Sequence, residues 1–545
     1  MVNMLSFSLI KKLLGRGGDK ASSQKSSKAY DEGLRNSNEN RPKDNDNTGG
    51  RKLTTNLQEN EAILKQIFSN CFDFVIRDIN IANNPAYKAK VMYLDNMIPQ
   101  EILEDNVINT LTSSPAQGSP EPSNLEYTMS LLGIGFDNTY EDVNKVSEAI
   151  TEGSVVILIN GASTALVASM MNPPSRAIGE PEAEKTSRGP RESFIENLSV
   201  NVTLIRKKIK SVNLKTEMYK LGVETKTSVV ICYMENLTDK EILQELKRRL
   251  DDIKIDMVLD ANYILEHIQD QPLSIIPTIF QTEKPDVVAG KLLEGKIAVM
   301  VDGSPIALTL PATFSELMIS SDDYYQGAIV VSIIRMARYF AFMVSLTLPA
   351  LYVSLITFHS ELLPARLVTT VVRSRATVPF NAMVESILMM VTFNILQEAD
   401  IRIPKSMGQA VSVVGALVLG QAAVSAGIVS APMVIIAAFA GISGLAIPEL
   451  EMQRALIHMR ILVLIAAGFL GLVGTTCAVL IIFIYLISQR SFGVPFMAPF
   501  CPVDFKAMVD TIVRAPIWMM KHKPYFTKWK EKVNRQEGKK PKGED

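Results

Sequence analysis

A carboxylate in apolar surroundings is one of two features in the C-terminal half of this 545-residue chain that could carry chemistry. Glu385 lies in NAMVESILMMVTFNIL, where the residues on both sides are hydrophobic. An ionised carboxylate is costly in lipid, so we expect it to face a bundle interior, a partner charge or a water-filled cavity. The alternative is that residues 380–397 form an interfacial helix from which Glu385 faces water.

A stripe of small side chains is the second feature that carries chemistry. The apolar segment GQAVSVVGALVLGQAAVSAGI spans residues 408–428. At about 100° per residue, small side chains fall within about 40° of one direction, and the set is Gly408, Ser412, Gly415, Ala422 and Ala426. Gln421 adds a polar group on the flank. Small side chains let membrane helices pack closely, so the stripe predicts either packing within one chain, or a subunit contact or pore wall.

The sequence lacks the patterns that indicate catalysis, metal binding or nucleic-acid binding. The sequence has no P-loop, HExxH or GxSxG motif, and its cysteines, Cys71, Cys232, Cys477 and Cys501, have no metal-binding spacing. Its formal net charge of −1 gives no reason to expect nucleic acid as a partner. We therefore expect no enzyme activity, no cofactor and no metal site.

The N-terminal part must supply a soluble region, because charged residues are frequent throughout it. Short β-rich runs such as residues 91–95 and 154–161 alternate with helical patterns, as they do again at 229–234. Asp302-Gly303 between two apolar runs predicts a β-hairpin over 297–310. An amphipathic helix is predicted over 191–210, with Phe194, Leu198, Val202 and Ile205 on one face. The expected fold is α+β, with two mixed α/β subdomains.

The C-terminal part is expected to be an α-helical transmembrane bundle of four or five helices. Apolar segments cover residues 336–359, 380–397, 408–428, 431–448 and 461–488, and a length near 20 residues is what a bilayer requires. The segment at 461–488 reads as one long helix that tilts or extends past the bilayer. The predicted domain boundaries are a disordered leader at 1–56, subdomains at 57–171 and 191–325 with a linker at 172–190, a transmembrane domain at 330–490, and a basic cytoplasmic tail at 491–545.

Several long stretches resemble the A subunit of the spore germinant receptors, the GerA family of endospore-forming bacteria. The matching motifs are RGPRESFIENLSVNVTLIRKKIK, EKPDVVAGKLLEGKIAVMVDGSPIALTLPATFSELMISSDDYY, NILQEADIRIP, GQAVSVVGALVLGQAAVSAGIVSAPMVI and SFGVPFMAPFCP. The resemblance extends from about Asn56 to Lys523. Ser193 replaces an expected glycine and Asn381 an expected proline.

This resemblance implies a multi-pass protein of the spore inner membrane whose soluble domain faces the cytoplasm or spore core. It implies a transporter-like B subunit and a lipoprotein C subunit as partners, and an oligomeric A subunit that conducts cations after a nutrient signal. The alternatives are a non-conducting scaffold subunit and a secondary transporter. Contact with membrane lipid and homo-oligomer formation are part of the same expectation.

Overall fold

The computed structural model describes residues 51–113, 138–170, 181, 184, 186, 188–402, 420–505 and 507–519. Most of the predicted leader, the first part of the small-residue stripe, and the basic residues after 519 lie outside this range. Within it, a region of two antiparallel sheets is followed by long apolar helices. The predicted fold, a mixed α/β region followed by C-terminal helices, is confirmed.

The first subdomain is a five-stranded sheet with helices against it. Its helices are α1 (Leu57–Ile67), α2 (Gln100–Leu103), a π-helical stretch (Glu104–Ile108), α3 (Asn109–Ser113) and α4 (Val143–Thr151). Its strands are β1 (Phe74–Asn80), β2 (Lys88–Leu94), β3 (Asn138–Tyr140), β4 (Ser154–Ile159) and β5 (Ala165–Ser169). The strand order is β1-β2-β4-β5-β3, and every neighbouring pair is antiparallel. Asn56 caps α1 by accepting the backbone N–H of Gln58.

The second subdomain has the same architecture. Its helices are α5 (Leu198–Lys208), α6 (Lys240–Asp251), α7 (Ala261–Ile268), α8 (Pro285–Leu293) and α9 (Phe314–Leu317). Its strands are β6 (Leu214–Leu221), β7 (Thr227–Met234), β8 (Phe280–Thr282), β9 (Ile297–Val301) and β10 (Ala307–Leu310). The predicted hairpin at 297–310 is confirmed by antiparallel pairing of β9 with β10. The helix predicted from 191 begins only at Leu198, because Asn197 caps it and Phe194 lies in extended chain bonded to Glu283.

The two subdomains are repeats of one unit. The second sheet has the order β6-β7-β9-β10-β8, which is the first order with every strand replaced by its counterpart. The sequence EGSVVILINGASTAL (152–166) aligns with EGKIAVMVDGSPIAL (294–308), and NLQEN (56–60) aligns with NLSVN (197–201). Asn60 and Asn201 close equivalent loops in the two repeats, each through a side-chain oxygen that accepts a backbone N–H at 2.9 Å. Sequence reasoning alone missed this repeat.

A buried ion pair joins the two repeats. The guanidinium of Arg206 on α5 donates to both carboxylate oxygens of Asp73 at 2.8 and 2.9 Å. Thr216 of β6 donates to the same carboxylate at 2.6 Å, and Phe72 donates its backbone N–H to the Thr216 carbonyl. Such a bidentate pair fixes direction as well as distance, so the subdomains are held in one defined orientation.

The helical region consists of α10 (Ala328–Thr357), α11 (Ala365–Arg375), α12 (Ala382–Arg402), α13 (Ala431–Gly444) and α14 (Leu450–Ser488). Three helices of the described chain are long and apolar enough to cross a membrane: Ala328–Thr357, Ala382–Ala399 and Leu450–Ser488. The predicted fourth segment forms the apolar but shorter helix α13.

Helix α14 reverses direction at Gly471, so the prediction of one long tilted helix over 461–488 is wrong. Gly471 has φ 60° and ψ −139°, a backbone conformation outside the helical region. A Cβ added at Gly474 would lie 2.1 Å from the Ala466 carbonyl oxygen, an approach that a straight helix does not allow. At about 1.5 Å per residue, the two antiparallel legs are each about 25 to 30 Å long.

Candidate functional site

The residues of the small-residue stripe divide between described and undescribed chain. Gly408, Ser412 and Gly415 lie outside the described residues. Gln421 and Ala422 lie in a helical segment that ends at 425, and Ala426 is in the turn that follows. All three of these side chains are exposed in the single chain. They therefore form a surface that other described elements of this chain do not cover.

Glu385 is completely buried at the start of α12. Its carboxylate accepts the backbone N–H of Ser430 at 2.6 Å and the hydroxyl of the same residue. The other carboxylate oxygen lies 3.4 Å from Nε of Arg375, the last residue of α11. Asn381 caps the helix by accepting the N–H of Val384. The carboxylate is paired with a cation inside the protein and faces neither lipid nor bulk water.

The same contact gathers three segments of the chain. Arg375 ends α11, Glu385 lies in the first turn of α12, and Ser430 precedes α13. Gly427, with φ 66°, lies against the loop between α11 and α12, where an added Cβ would meet the Thr377 carbonyl oxygen at 3.2 Å. Gly427 follows directly on Ala426, so one peptide bond joins the exposed small-residue segment to this contact.

A second buried charge lies on the first leg of α14. Arg460 is 3% exposed, and it donates to the sulfur of Met390 at 3.5 Å. Its Nε has no hydrogen-bond partner within the described chain. The sequence signal was an arginine directly before the apolar run ILVLIAAG, and sequence reasoning overlooked it.

The beginning of α10 is fastened by a charged cluster. Asp323 accepts hydrogen bonds from Arg335 at 3.0 Å and from Arg338 at 2.7 Å. Arg335 is fully buried and also donates to the Asp510 carboxylate at 2.9 Å, which binds the segment after the last helix to the first. Arg514 donates to the Gln326 carbonyl at 2.7 Å. Loss of one partner would leave a buried charge unpaired, so this cluster holds the helix end firmly.

The end of α14 docks on the second subdomain. After the helix, Arg490–Ser491 and Val494–Pro495 pair as a short hairpin. Ser491 donates to the Thr278 carbonyl and accepts the Ala312 N–H, and Phe492 is buried in the apolar core of the second subdomain. The predicted tail therefore begins with a segment packed against the protein.

Together, these contacts define a class of protein: a duplicated α/β domain fastened at several points to helices long enough to cross a membrane. Among the residues that the structure describes, no group of three His, Cys, Asp or Glu side chains is arranged to hold a metal ion. The buried charged side chains of the protein lie at contacts between different helices and segments of the chain.

Comparison with known proteins gives the family. Residues 62–526 match the family model described as Bacillus/Clostridium GerA spore germination protein. The chain is 37% identical over 475 residues to the "Uncharacterized membrane protein YfkQ" of Bacillus subtilis (strain 168), which covers 87% of this chain and 92% of that protein. It is 36% identical over 491 residues to "Spore germination protein KA" of the same organism, covering 90% of each. The chain therefore belongs to the GerA family of spore germination proteins.

A solved structure is also similar to part of the chain. It is the N-terminal domain of the A subunit of the Bacillus megaterium spore germinant receptor GerK3. The match has 27% sequence identity and a TM-score of 0.38, and it covers 49% of this chain and 98% of that one.

Proposed function

We propose that this chain is the A subunit of a nutrient-sensing spore germinant receptor and forms an oligomeric, nutrient-gated cation channel that starts germination. In this proposal it lies in the spore inner membrane, with its soluble domain facing the spore core. It works with a transporter-like B subunit and a lipoprotein C subunit. The observation that carries the proposal is the exposed small-residue segment, Gln421 to Ala426, next to the buried ion pair of Glu385.

Small exposed side chains favour contact with another helix of the same kind, because backbones approach closely there. Copies of the segment packed around an axis would form a ring with the flanking Gln421 near the passage. Membership of the GerA family supports a receptor role. Three helices of membrane-crossing length support a position in the bilayer.

Gating requires two arrangements of the helices whose balance a signal can change. The Glu385 contact supplies an element suited to this, because one carboxylate links α11, α12 and the turn at Ser430. A movement of α11 that separates Arg375 from Glu385 leaves the buried carboxylate without its nearby positive charge. The contact then either re-forms or rearranges, which favours discrete states over gradual deformation.

The experiment replaces Ala422 with Leu in spores and follows potassium release after nutrient addition. A bulky side chain on the proposed contact surface is expected to slow or abolish release. The matched control is Ala431→Leu, because Ala431 is also exposed but begins the neighbouring helix α13. Gly415→Leu tests the undescribed part of the stripe. Normal release in Ala422→Leu and Gly415→Leu spores would remove this segment from the gate.

A non-conducting scaffold is the second candidate, and the fastening of the soluble domain to the helices favours it. The Arg335 cluster and the hairpin after α14 both suit a rigid assembly platform. Purified protein in liposomes separates the two functions. A channel gives cation flux that Ala422→Leu alters, whereas a scaffold gives none with any variant.

A further inference from the structure

A cavity of about 420 Å³ lies where the second subdomain meets the helical region. One wall is α8, a second is the segment before α10, and a third is the chain just before α14. Apolar side chains line part of it: Phe280, Val287, Leu293, Ile319 and Pro448. The volume is in the range of small-molecule sites.

Among the described residues that line this space, carboxylates outnumber cations. The lining acids are Glu184, Asp286, Glu294, Glu316 and Glu449, and Lys291 is the cation among the lining residues. Lys291 is committed to a nearby acid, because its Nζ lies 3.4 Å from Glu316 and close above the Phe280 ring. Glu316 also pairs with Lys296 behind the wall. Asp286 likewise lies 3.5 Å from Nζ of Lys284, so the acids that remain for a ligand are those outside these pairs.

Glu449 is the acid that stands out. It is 7% exposed, and no cation of the described chain lies within ion-pair distance of it. Burial, and then the negative charge of Glu184, raises the pKa of Glu449 to about 8. Burial likewise raises the pKa of Glu184 to about 7, although its carboxylate accepts a hydrogen bond from Thr282 at 2.8 Å. Glu449, which is buried, and Glu184, which is partly buried, therefore both have raised pKa values although the charge of Lys291 acts on each, and neither forms an ion pair within the described chain.

The two lysines of this wall are not a requirement of the fold, as the repeat shows. The positions of Lys291 and Lys296 correspond to Ala149 and Ser154 in the first subdomain, which builds the same sheet without them. Glu294 corresponds to Glu152, which is exposed there. At two of these three positions the second repeat carries a lysine where the first carries a small side chain, and this is the face that meets the helical region.

We propose that this cavity binds a small organic cation, with its ammonium group at Glu449 and Glu184 and its apolar body against the walls of Phe280, Val287 and Ile319. An ammonium group supplies the missing charge and donates hydrogen bonds to both carboxylates. The carboxylates are not grouped as metal ligands among the described residues, and the apolar walls suit an organic body. The proposal is independent of whether the chain conducts ions.

Binding spans the joint between soluble domain and helices. Glu184 belongs to the chain between the two subdomains, whereas Glu449 immediately precedes the first leg of α14. A ligand held by both side chains links the soluble domain to the start of that leg. It stabilises whichever arrangement of the two keeps the carboxylates close.

The test uses the full chain in detergent and three probes of nearly the same shape. These are 2-phenylethylamine, the neutral 2-phenylethanol and the anionic 3-phenylpropanoate, followed by calorimetric titration at about pH 8.5, where the amine is largely protonated and Glu449 largely ionised. The amine is expected to bind at least about tenfold more tightly than the alcohol, and the anion not at all. Absence of amine binding, or equal binding of all three probes, would overturn the proposal. Equal competition by potassium chloride would overturn the organic class of ligand.

Variants assign the site. Glu449→Gln and Glu184→Gln preserve shape and remove charge, so each is expected to weaken amine binding roughly tenfold. The control is Glu152→Gln, an exposed carboxylate at the repeat position of Glu294, which is expected to bind as the wild type does. Unfolding temperatures check that each variant is folded. Amine affinity unchanged in both cavity variants would place binding elsewhere and sink the assignment.

Discussion

At the scale of single residues, the helical region depends on how a few buried charges are partnered. One carboxylate oxygen of Glu385 accepts hydrogen bonds from Ser430, and the other lies 3.4 Å from Nε of Arg375, an ion pair without a hydrogen bond. Removing one partner of a buried pair costs more than removing both, because the remaining charge is left in a low-dielectric site. This asymmetry makes the contact measurable by a double-mutant cycle.

Arg375→Met is expected to destabilise the protein by about 3 kcal/mol, because the Glu385 carboxylate loses its cation. Adding Glu385→Gln is expected to recover part of that loss, since Gln still accepts from Ser430 without a charge. Unfolding temperatures in detergent measure both effects. Arg373→Met is the control, because Arg373 lies one half-turn earlier on α11 and is exposed. Additive losses from the two substitutions would show that Arg375 and Glu385 are not coupled.

Glu449 predicts a pH dependence of stability. Its pKa is raised from 4.5 to about 8 in the folded chain, so the folded state holds more protons than the unfolded state between these values. Stability from this group is complete below about pH 4.5 and is lost as pH rises toward 8. Glu184 and Lys291 face Glu449 in the cavity, and Glu451 lies on its own helix. Burial lowers the pKa of Lys291 to about 7, so the contribution of Lys291 to stability changes with pH only above that value.

Between pH 5 and 7 the wild-type unfolding temperature is therefore expected to fall more than that of Glu449→Gln. Gln resembles the protonated carboxyl at every pH, so the variant lacks this part of the slope. Glu152→Gln serves as control and is expected to follow the wild type. Parallel curves for wild type and Glu449→Gln would mean that this carboxyl titrates normally in the folded protein.

At the scale of elements, sequence patterns predict the structures that depend on residues close together in the chain. The hairpin at 297–310 was predictable, because Asp302-Gly303 supplies the turn between two apolar runs. An interior position for Glu385 was one of two alternatives that its surroundings left open, and its partner Arg375 was not predictable, because it ends a different helix. The reversal at Gly471 was hidden inside a continuous apolar run, where a glycine is as ordinary as in any membrane helix.

The close approach of the two legs of α14 makes a prediction about Gly474. Its added Cβ would lie 2.1 Å from the Ala466 carbonyl oxygen, which belongs to backbone and has little room to move. Gly474→Ala is expected to separate the legs and cost about 1–3 kcal/mol, seen as a lower unfolding temperature in detergent. Gly327→Ala is the control, since nothing lies within 4 Å of its added Cβ. Wild-type stability in Gly474→Ala would contradict a tightly packed reversal.

At the scale of the whole molecule, the soluble domain is joined to the helices at both ends of the helical region. Asp323 and Asp510 hold the start of α10 through Arg335, and the hairpin after α14 holds the end of the last helix. These joints connect residues that are between 175 and 213 positions apart, so no local pattern reveals them. The motif SFGVPFMAPFCP was noticed as a signature of the family, while its role as a docking segment became visible only in three dimensions.

Phe492 provides the test of this joint. Its ring is 7% exposed within the apolar core of the second subdomain, and the Arg249 guanidinium lies 4.4 Å from its centroid. Phe492→Ala removes both contacts at a cost of about 3 kcal/mol, while the helices and the sheet keep their own cores. Local opening is then expected to become more frequent around α6, so deuterium uptake of Lys240–Asp251 in the full chain should rise. Phe505→Ala is the control, because that ring is 81% exposed and its loss should change nothing.

If this joint transmits the signal, nutrient-triggered potassium release is also slower in Phe492→Ala spores. Faster exchange with unchanged release would make the hairpin a structural anchor that signalling does not use.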